Sequence, residues 1–200
     1  SRAGVAAFTT STGYGIAKYD NPEELSVSDR NNIGYQYTDC PLYWISVIYL
    51  NFAEAKAEMG SLTQDDLNNS INKLQARAGL PAMTTTPDAD PANNMGVSNL
   101  IWEIRRCRRC ELIMDNWYRY WDLIRWHQLD KLDSTKYPNT MLGANVSNVP
   151  DCEEATKNGY IDASDAQIRT YEAKHYFYPI PTTQLTLNKK HEAESGLVIN

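Results

Sequence analysis

Two carboxylates, Glu111 and Asp122, lie in an arginine-rich stretch, and a carboxylate pair is what glycosidic-bond hydrolysis requires. At helical spacing each has an arginine neighbour, Arg108 beside Glu111 and Arg119 beside Asp122. Such a neighbour commits the carboxylate to an ion pair rather than to proton donation. The other reactive side chains form no constellation. His127, His175 and His191 show no ligand spacing, and His191-Glu192 lacks the second histidine of a zinc-protease helix. Asp88 and Asp90 lack the rest of a calcium loop, and no nucleophile elbow, phosphate loop or dinucleotide fingerprint occurs. Cys107 and Cys110 form a CxxC inside a predicted helix. Cβ atoms at that spacing are about 5–6 Å apart, whereas a disulfide needs about 3.5–4.5 Å. Buried structural thiols are expected there, and Cys40 with Cys152 remains a possible pair in an oxidising compartment. No catalytic residue, metal or cofactor is expected.

The elements that must hold these groups are helices. From Ser98 to Leu132, Ile101, Ile104, Arg108, Glu111 and Asp115 share a helical line, so an apolar stripe runs into charge. A second helix carries Arg119, Asp122, Leu123 and Trp126, and the two join near Asp115-Asn116. A charge on a core-facing stripe must be paired. The expectation is an ion-pair clamp of Arg108, Glu111, Arg119 and Asp122 between two helices, with Trp126 and other tryptophans packed around it.

Upstream, Ile45, Ile48, Tyr49, Phe52, Ala55 and Met59 give an amphipathic period that Gly60 ends. Thr63 with Asp66 reads as an N-cap, and Leu67, Ile71, Leu74 and Ala78 form the next stripe, closed by Gly79 and Pro81. This is a tetratricopeptide-like helical hairpin over 40–79, with a longer second helix. Residues 1–39 read as a loop-rich lead-in, 82–97 as a breaker-rich surface loop, and 98–132 as the clamped pair. Residues 133–200 read as an irregular wrap with an extended Lys174–Pro181 segment and a last helical turn, capped at Thr182 or Thr183, through Leu187. The fold class is mostly α, with long irregular loops, in a single domain of 200 residues.

A formal net charge of −6 argues against nucleic acid or an anionic membrane surface as the main partner. No stretch is long and apolar enough to span a bilayer. Thirteen tyrosines and five tryptophans offer flat apolar faces with polar edges, the chemistry that stacks on sugar rings. Tyr14, Tyr19, Tyr35 and Tyr37 cluster on loop-like backbone, where binding residues concentrate, and are the candidate ligand contacts. The competing reading is that they seal the helices beneath.

Four stretches together resemble the SusD/RagB family: Tyr49–Ala55 (YLNFAEA), Ile71–Gly79 (INKLQARAG), Arg108–Leu112 with Arg119–Trp126 (RYWDLIRW), and Tyr178–Pro181 (YPIP). They occur in the family's order, and the chain is similar to the C-terminal part of its members. Cys107 replaces the usual leading Glu of the signature, Asp115-Asn116 replaces Glu-Gly, and one extra residue precedes Arg119. The resemblance implies a non-catalytic protein of the outer-membrane surface. Such a protein binds a glycan or other nutrient, is lipid-anchored through an N-terminal segment, and partners a TonB-dependent SusC-like transporter. The alternatives are a helical protein–protein scaffold without a small ligand and, further off, a helical glycoside hydrolase.

Overall fold

The structure is a computed structural model that describes residues 10–16, 18, 26–30, 41–149, 156–164 and 167–187. Its elements run α1 (Val27–Arg30), α2 (Ile45–Glu58), α3 (Gln64–Asn68), α4 (Ile71–Arg77), α5 (Asn99–Glu111), α6 (Tyr118–Arg125), β1 (Leu142–Asn145), β2 (Thr156–Lys157), β3 (Tyr160–Asp162) and α7 (Thr182–Leu187). The mostly α class expected from the sequence is what is found. The chain divides into two compact units, one of residues 39–125 and one of residues 1–38 with 126–200.

In the first unit α2 packs on α5 and α4 around Val47, Leu50, Ala53, Leu67, Ile71, Leu74, Met83, Ile104 and Leu112. Both predicted glycine stops hold. Gly60 (φ +67°) and Gly79 (φ +68°) take the left-handed conformation, and the amides of Ser61 and Leu80 reach back to the carbonyls of Lys56 and Gln75. Thr63 and Asp66 form the reciprocal capping box.

Two expectations fail in this unit. The α2 stripe picked from the sequence faces outward at five of its six positions: Ile45, Ile48, Phe52, Ala55 and Met59 are exposed, while Ser46, Val47, Leu50, Ala53 and Glu54 are buried. The helix carries apolar residues on both faces, so period alone does not choose. The buried face is the one that brings Glu54 to Arg105 of α5 and Arg125 of α6. The second helix of the hairpin is also broken, into α3 and α4. Ser70 donates its hydroxyl to the Asp66 carbonyl (2.5 Å) and its amide to Leu67 (3.1 Å), competing with the regular ladder after Asn68 and Asn69.

The loop after α4 is pinned rather than loose. Asn72 accepts from the Met83 amide (2.7 Å) and donates to the Met83 carbonyl (3.1 Å), which seats Met83 in the core. Asp90 accepts from the Trp102 indole N–H (2.9 Å), and that bond holds its carboxyl below the usual range.

The second unit corrects the irregular-wrap expectation for residues 133–170. It holds an antiparallel sheet in the order β1-β3-β2. Asn158 (φ +54°) and Gly159 (φ +82°) form the two-residue turn between β2 and β3, a tight hairpin of the Asn-Gly kind. Thr12 lays its carbonyl on the Ala144 amide (2.8 Å). A side chain at Gly143 would strike the Thr12 backbone, so only glycine permits that approach. Residues 173–176 form a 3-10 turn where the sequence suggests extended chain, and the extended backbone starts at Phe177. Helix α7 ends at Leu187 as expected.

Asp133 ties this unit together. One carboxylate oxygen accepts from the Thr135 hydroxyl (2.5 Å) and amide (2.9 Å), and the other accepts from the Tyr171 amide (3.1 Å). These bonds, the Thr135 hydroxyl foremost, hold the carboxyl at about 2. A depressed folded-state value stabilises the fold above the ordinary carboxylate range, and that contribution disappears as pH falls through about 2. Acid titration followed by circular dichroism should therefore show a stability loss between about pH 4 and 2 that is flatter in Asp133→Asn.

Candidate functional site

The stretch that the sequence singles out becomes α5, capped by the Ser98 hydroxyl, and α6, separated by the turn Leu112–Trp117. Between α2, α5 and α6 lies a network of shared carboxylates. Asp122 accepts from Arg108 Nε (2.7 Å) through one oxygen and from Arg125 Nε (2.9 Å) through the other. Glu54 accepts from Arg105 Nε (3.3 Å) and Arg125 Nη2 (2.5 Å). Arg105 also reaches Glu58 (3.0 Å), and Arg108 donates to Asn51 Oδ1 (2.8 Å). The side chains of Glu54, Arg108 and Asp122 are each 5 % exposed, so water screens these pairs little. Three guanidiniums meet three carboxylates and the charge balances locally.

Of the four residues expected in the clamp, Arg108 and Asp122 meet directly. Glu111 instead engages Arg77 of α4 with both oxygens (2.7 and 2.9 Å). Arg119 makes no ion pair or hydrogen bond among the described residues. It lies half-buried beside Arg109, and burial, then that neighbouring charge, lower its proton affinity. Trp126 is buried. The participants that sequence reasoning missed are Glu54, Arg105 and Arg125. The signal for Glu54 was its place among apolar residues of a helix, where a carboxylate needs a cation.

The glycosidase reading loses its geometry here. Both oxygens of Asp122 and both of Glu111 are held by arginines, with none left directed at a substrate. Among the described residues no group of histidines, cysteines and acids is placed to hold a metal.

Of the four candidate tyrosines, Tyr14 is exposed at 63 %, and Tyr19, Tyr35 and Tyr37 lie outside the described residues. A second aromatic surface sits on the helical unit. Trp117 is 81 % exposed and Tyr43 is 85 % exposed, and Asn116 donates from Nδ2 to the Leu42 carbonyl (2.8 Å), tying their two loops together. Met114 (φ +63°), Asn116 (φ +35°) and Trp117 (φ +58°) all adopt the left-handed region. Non-glycine residues there are strained by about 1–3 kcal/mol each. In the other unit a half-open cleft of about 480 Å³ is lined by Ser134, Thr135, Met141, Lys157, Asp162 and Ser164 among others. Its Asp162 already accepts from the Ser164 amide and hydroxyl.

The two cysteines of the CxxC are free, as their helical spacing requires, yet they differ. Burial, then the nearby Glu111 charge, pushes the Cys107 thiol up to about 12. Cys110 is exposed, against the expectation of two buried thiols, because it falls on the side of α5 away from Ile104 and Arg108. Cys40 and Cys152 lie outside the described residues.

Comparison with known proteins gives one match. The sequence model of the SusD family covers residues 2–195. No curated protein and no solved structure matches the chain.

Two outcomes follow from this geometry. In urea denaturation, Arg108→Ala should lose about 3–5 kcal/mol, because Asp122 is left buried with half its partners. Arg77→Ala, at a side chain 65 % exposed, should lose under about 1 kcal/mol. Arg119→Ala, without an ion pair to break, should fall near Arg77→Ala; equal losses in all three would show that the network is not what holds the helices. Maleimide labelling near neutral pH, mapped by peptide mass, should modify Cys110 well before Cys107, since a thiol pushed to about 12 supplies almost no thiolate.

Proposed function

The chain belongs to the SusD family, and from that premise we propose that it is a non-catalytic glycan-capturing part of an outer-membrane uptake complex that works with a SusC-like TonB-dependent transporter. Members of the family are nutrient-binding proteins of the outer-membrane surface. The match across residues 2–195 carries the reading. Two features of the chain support it. The acidic side chains best placed for hydrolysis are held in ion pairs with arginines. Those pairs fasten the helices to one another, and the exposed aromatics Trp117 and Tyr43 stand on loops of the same unit, while Tyr14 is exposed on the other unit. No helix among the described residues is long and apolar enough to cross a membrane.

The outward stripe of α2 (Ile45, Ile48, Phe52 and Met59) favours a second reading, a helical scaffold whose ligand is another protein. Calorimetric titration with a panel of neutral and acidic oligosaccharides, alongside a reducing-end assay on the same mixtures, separates the possibilities. Saturable heat without new reducing ends is expected. New reducing ends would make the protein a hydrolase, and silence across the whole panel would leave the scaffold reading standing.

A further inference from the structure

The cleft of about 480 Å³ in the second unit falls within the size range of small-molecule sites, about 300–1,000 Å³. Its walls are pinned by the chain's own bonds. Asp133 accepts from the Tyr171 amide (3.1 Å) and so anchors the turn at Ser134 and Thr135. The Ser134 amide donates to the Arg169 carbonyl (2.9 Å), and the Ser134 hydroxyl accepts from the Arg169 amide (2.9 Å). The Ala163 amide reaches the Met141 carbonyl and the Gln167 amide the Ser164 carbonyl, both at 3.1 Å. A cleft formed before its guest arrives spares the entropy of ordering its walls. Sheet register then sets two opposite charges in it. Lys157 stands opposite Tyr160, and Leu142 opposite Asp162, so Leu142, Lys157 and Asp162 come to one face, and all three line the cleft. Lys157 and Asp162 are diagonal neighbours across β2 and β3, a relation that spaces residues about 7–8 Å apart, near enough for one small molecule to touch both. The Lys157 ammonium makes no ion pair or hydrogen bond among the described residues. Asp162 takes the Ser164 amide (3.0 Å) and hydroxyl (2.6 Å) on Oδ1, and a carboxylate accepts about four hydrogen bonds in all. Met141, Leu142 and Ile168 supply apolar wall, and none of the described lining residues is aromatic. The flat face on which a pyranose ring stacks is therefore missing, while branched and thioether side chains adapt to another hydrocarbon chain.

We propose that this cleft binds a zwitterionic amino acid with an aliphatic side chain. Its carboxylate meets Lys157, its ammonium meets Asp162, and its side chain lies against Met141, Leu142 and Ile168. The two charges lining the cleft sum to zero, as do those of the guest. A simple anion would meet Asp162 and a simple cation Lys157, so the arrangement selects for both charges on one molecule. Apolar contact adds a requirement for a side chain. The inference stands apart from saccharide capture, since it uses other residues and another ligand class, and either reading can fail without the other.

The test is titration calorimetry on the full chain, near neutral pH and at low salt, with leucine, N-acetyl-leucine, leucinamide and glycine. Leucine should bind saturably and roughly tenfold or more tighter than each of the other three, which lack in turn the ammonium, the carboxylate and the side chain. Asp162→Asn should weaken leucine and strengthen N-acetyl-leucine, because it removes the charge that repels a plain carboxylate. Lys157→Gln, at an exposed side chain, should weaken leucine and strengthen leucinamide with the melting temperature unchanged. Ile168→Ser, at a side chain 73 % exposed, should weaken leucine without a change of preference among the charged forms. Should Asp162→Asn fold poorly, the exchange of preference in Lys157→Gln decides the matter. Silence with leucine overturns the inference, as does N-acetyl-leucine or leucinamide binding as tightly as leucine. Leucine binding unaltered in Lys157→Gln also overturns it, because the amino acid would then be held elsewhere.

Discussion

Glu54 and Asp122 are each divided between two guanidiniums, and the arrangement of the helical unit depends on that sharing. A carboxylate in low dielectric is unfavourable unless its oxygens are occupied, and a single cation occupies only part of it. Arg125 touches both carboxylates and so couples α6 to α2, while Arg105 and Arg108 couple α5 to α2 and α6. Apolar packing among Leu50, Ile71, Ile104 and their neighbours draws these helices together without fixing how they are rotated. The ion pairs, being directional, fix it. This is why α2 buries Ser46 and Glu54 and leaves Ile48 and Phe52 outside.

The same constraint links structure to function. The carboxylates that fasten the helices have their oxygens taken up by guanidiniums, and a frame so fastened holds its loops in place. The exposed aromatics Trp117 and Tyr43 lie at the edge of that frame, on the α5–α6 turn and the approach to α2. Membership of the SusD family sets this helical unit in a family of nutrient-binding proteins.

Much of the fold was legible in the sequence, and the parts that were not have identifiable physical causes. Helix ends marked by local chemistry were readable: Gly60, Gly79, the Thr63–Asp66 box and Ser98 each act within a few residues of the chain. The buried face of α2 was not, because both faces are apolar and the choice is made by arginines 51 and 71 positions away. The break at Ser70 turns on one side-chain hydroxyl competing for a backbone carbonyl, which period counting does not register. The hairpin of β2 and β3 was readable in principle from Asn158-Gly159, but strands this short give little alternation to notice. At the candidate site, the pairing of Arg108 with Asp122 follows from charge on a buried stripe. The isolation of Arg119 does not, since it depends on Arg125 and Arg108 having already filled both oxygens of Asp122.

The turn from Leu112 to Trp117 bears on how this protein could be altered. Glycine at Asn116 would relieve a backbone that Cβ atoms disfavour, and the folded state would gain from it. Relaxing that hinge would also free the indole beside it to sample many directions, and a surface that wanders loses entropy each time it is stilled by a guest. Thermal robustness and a fixed direction for the indole are thus set against each other across a few peptide units.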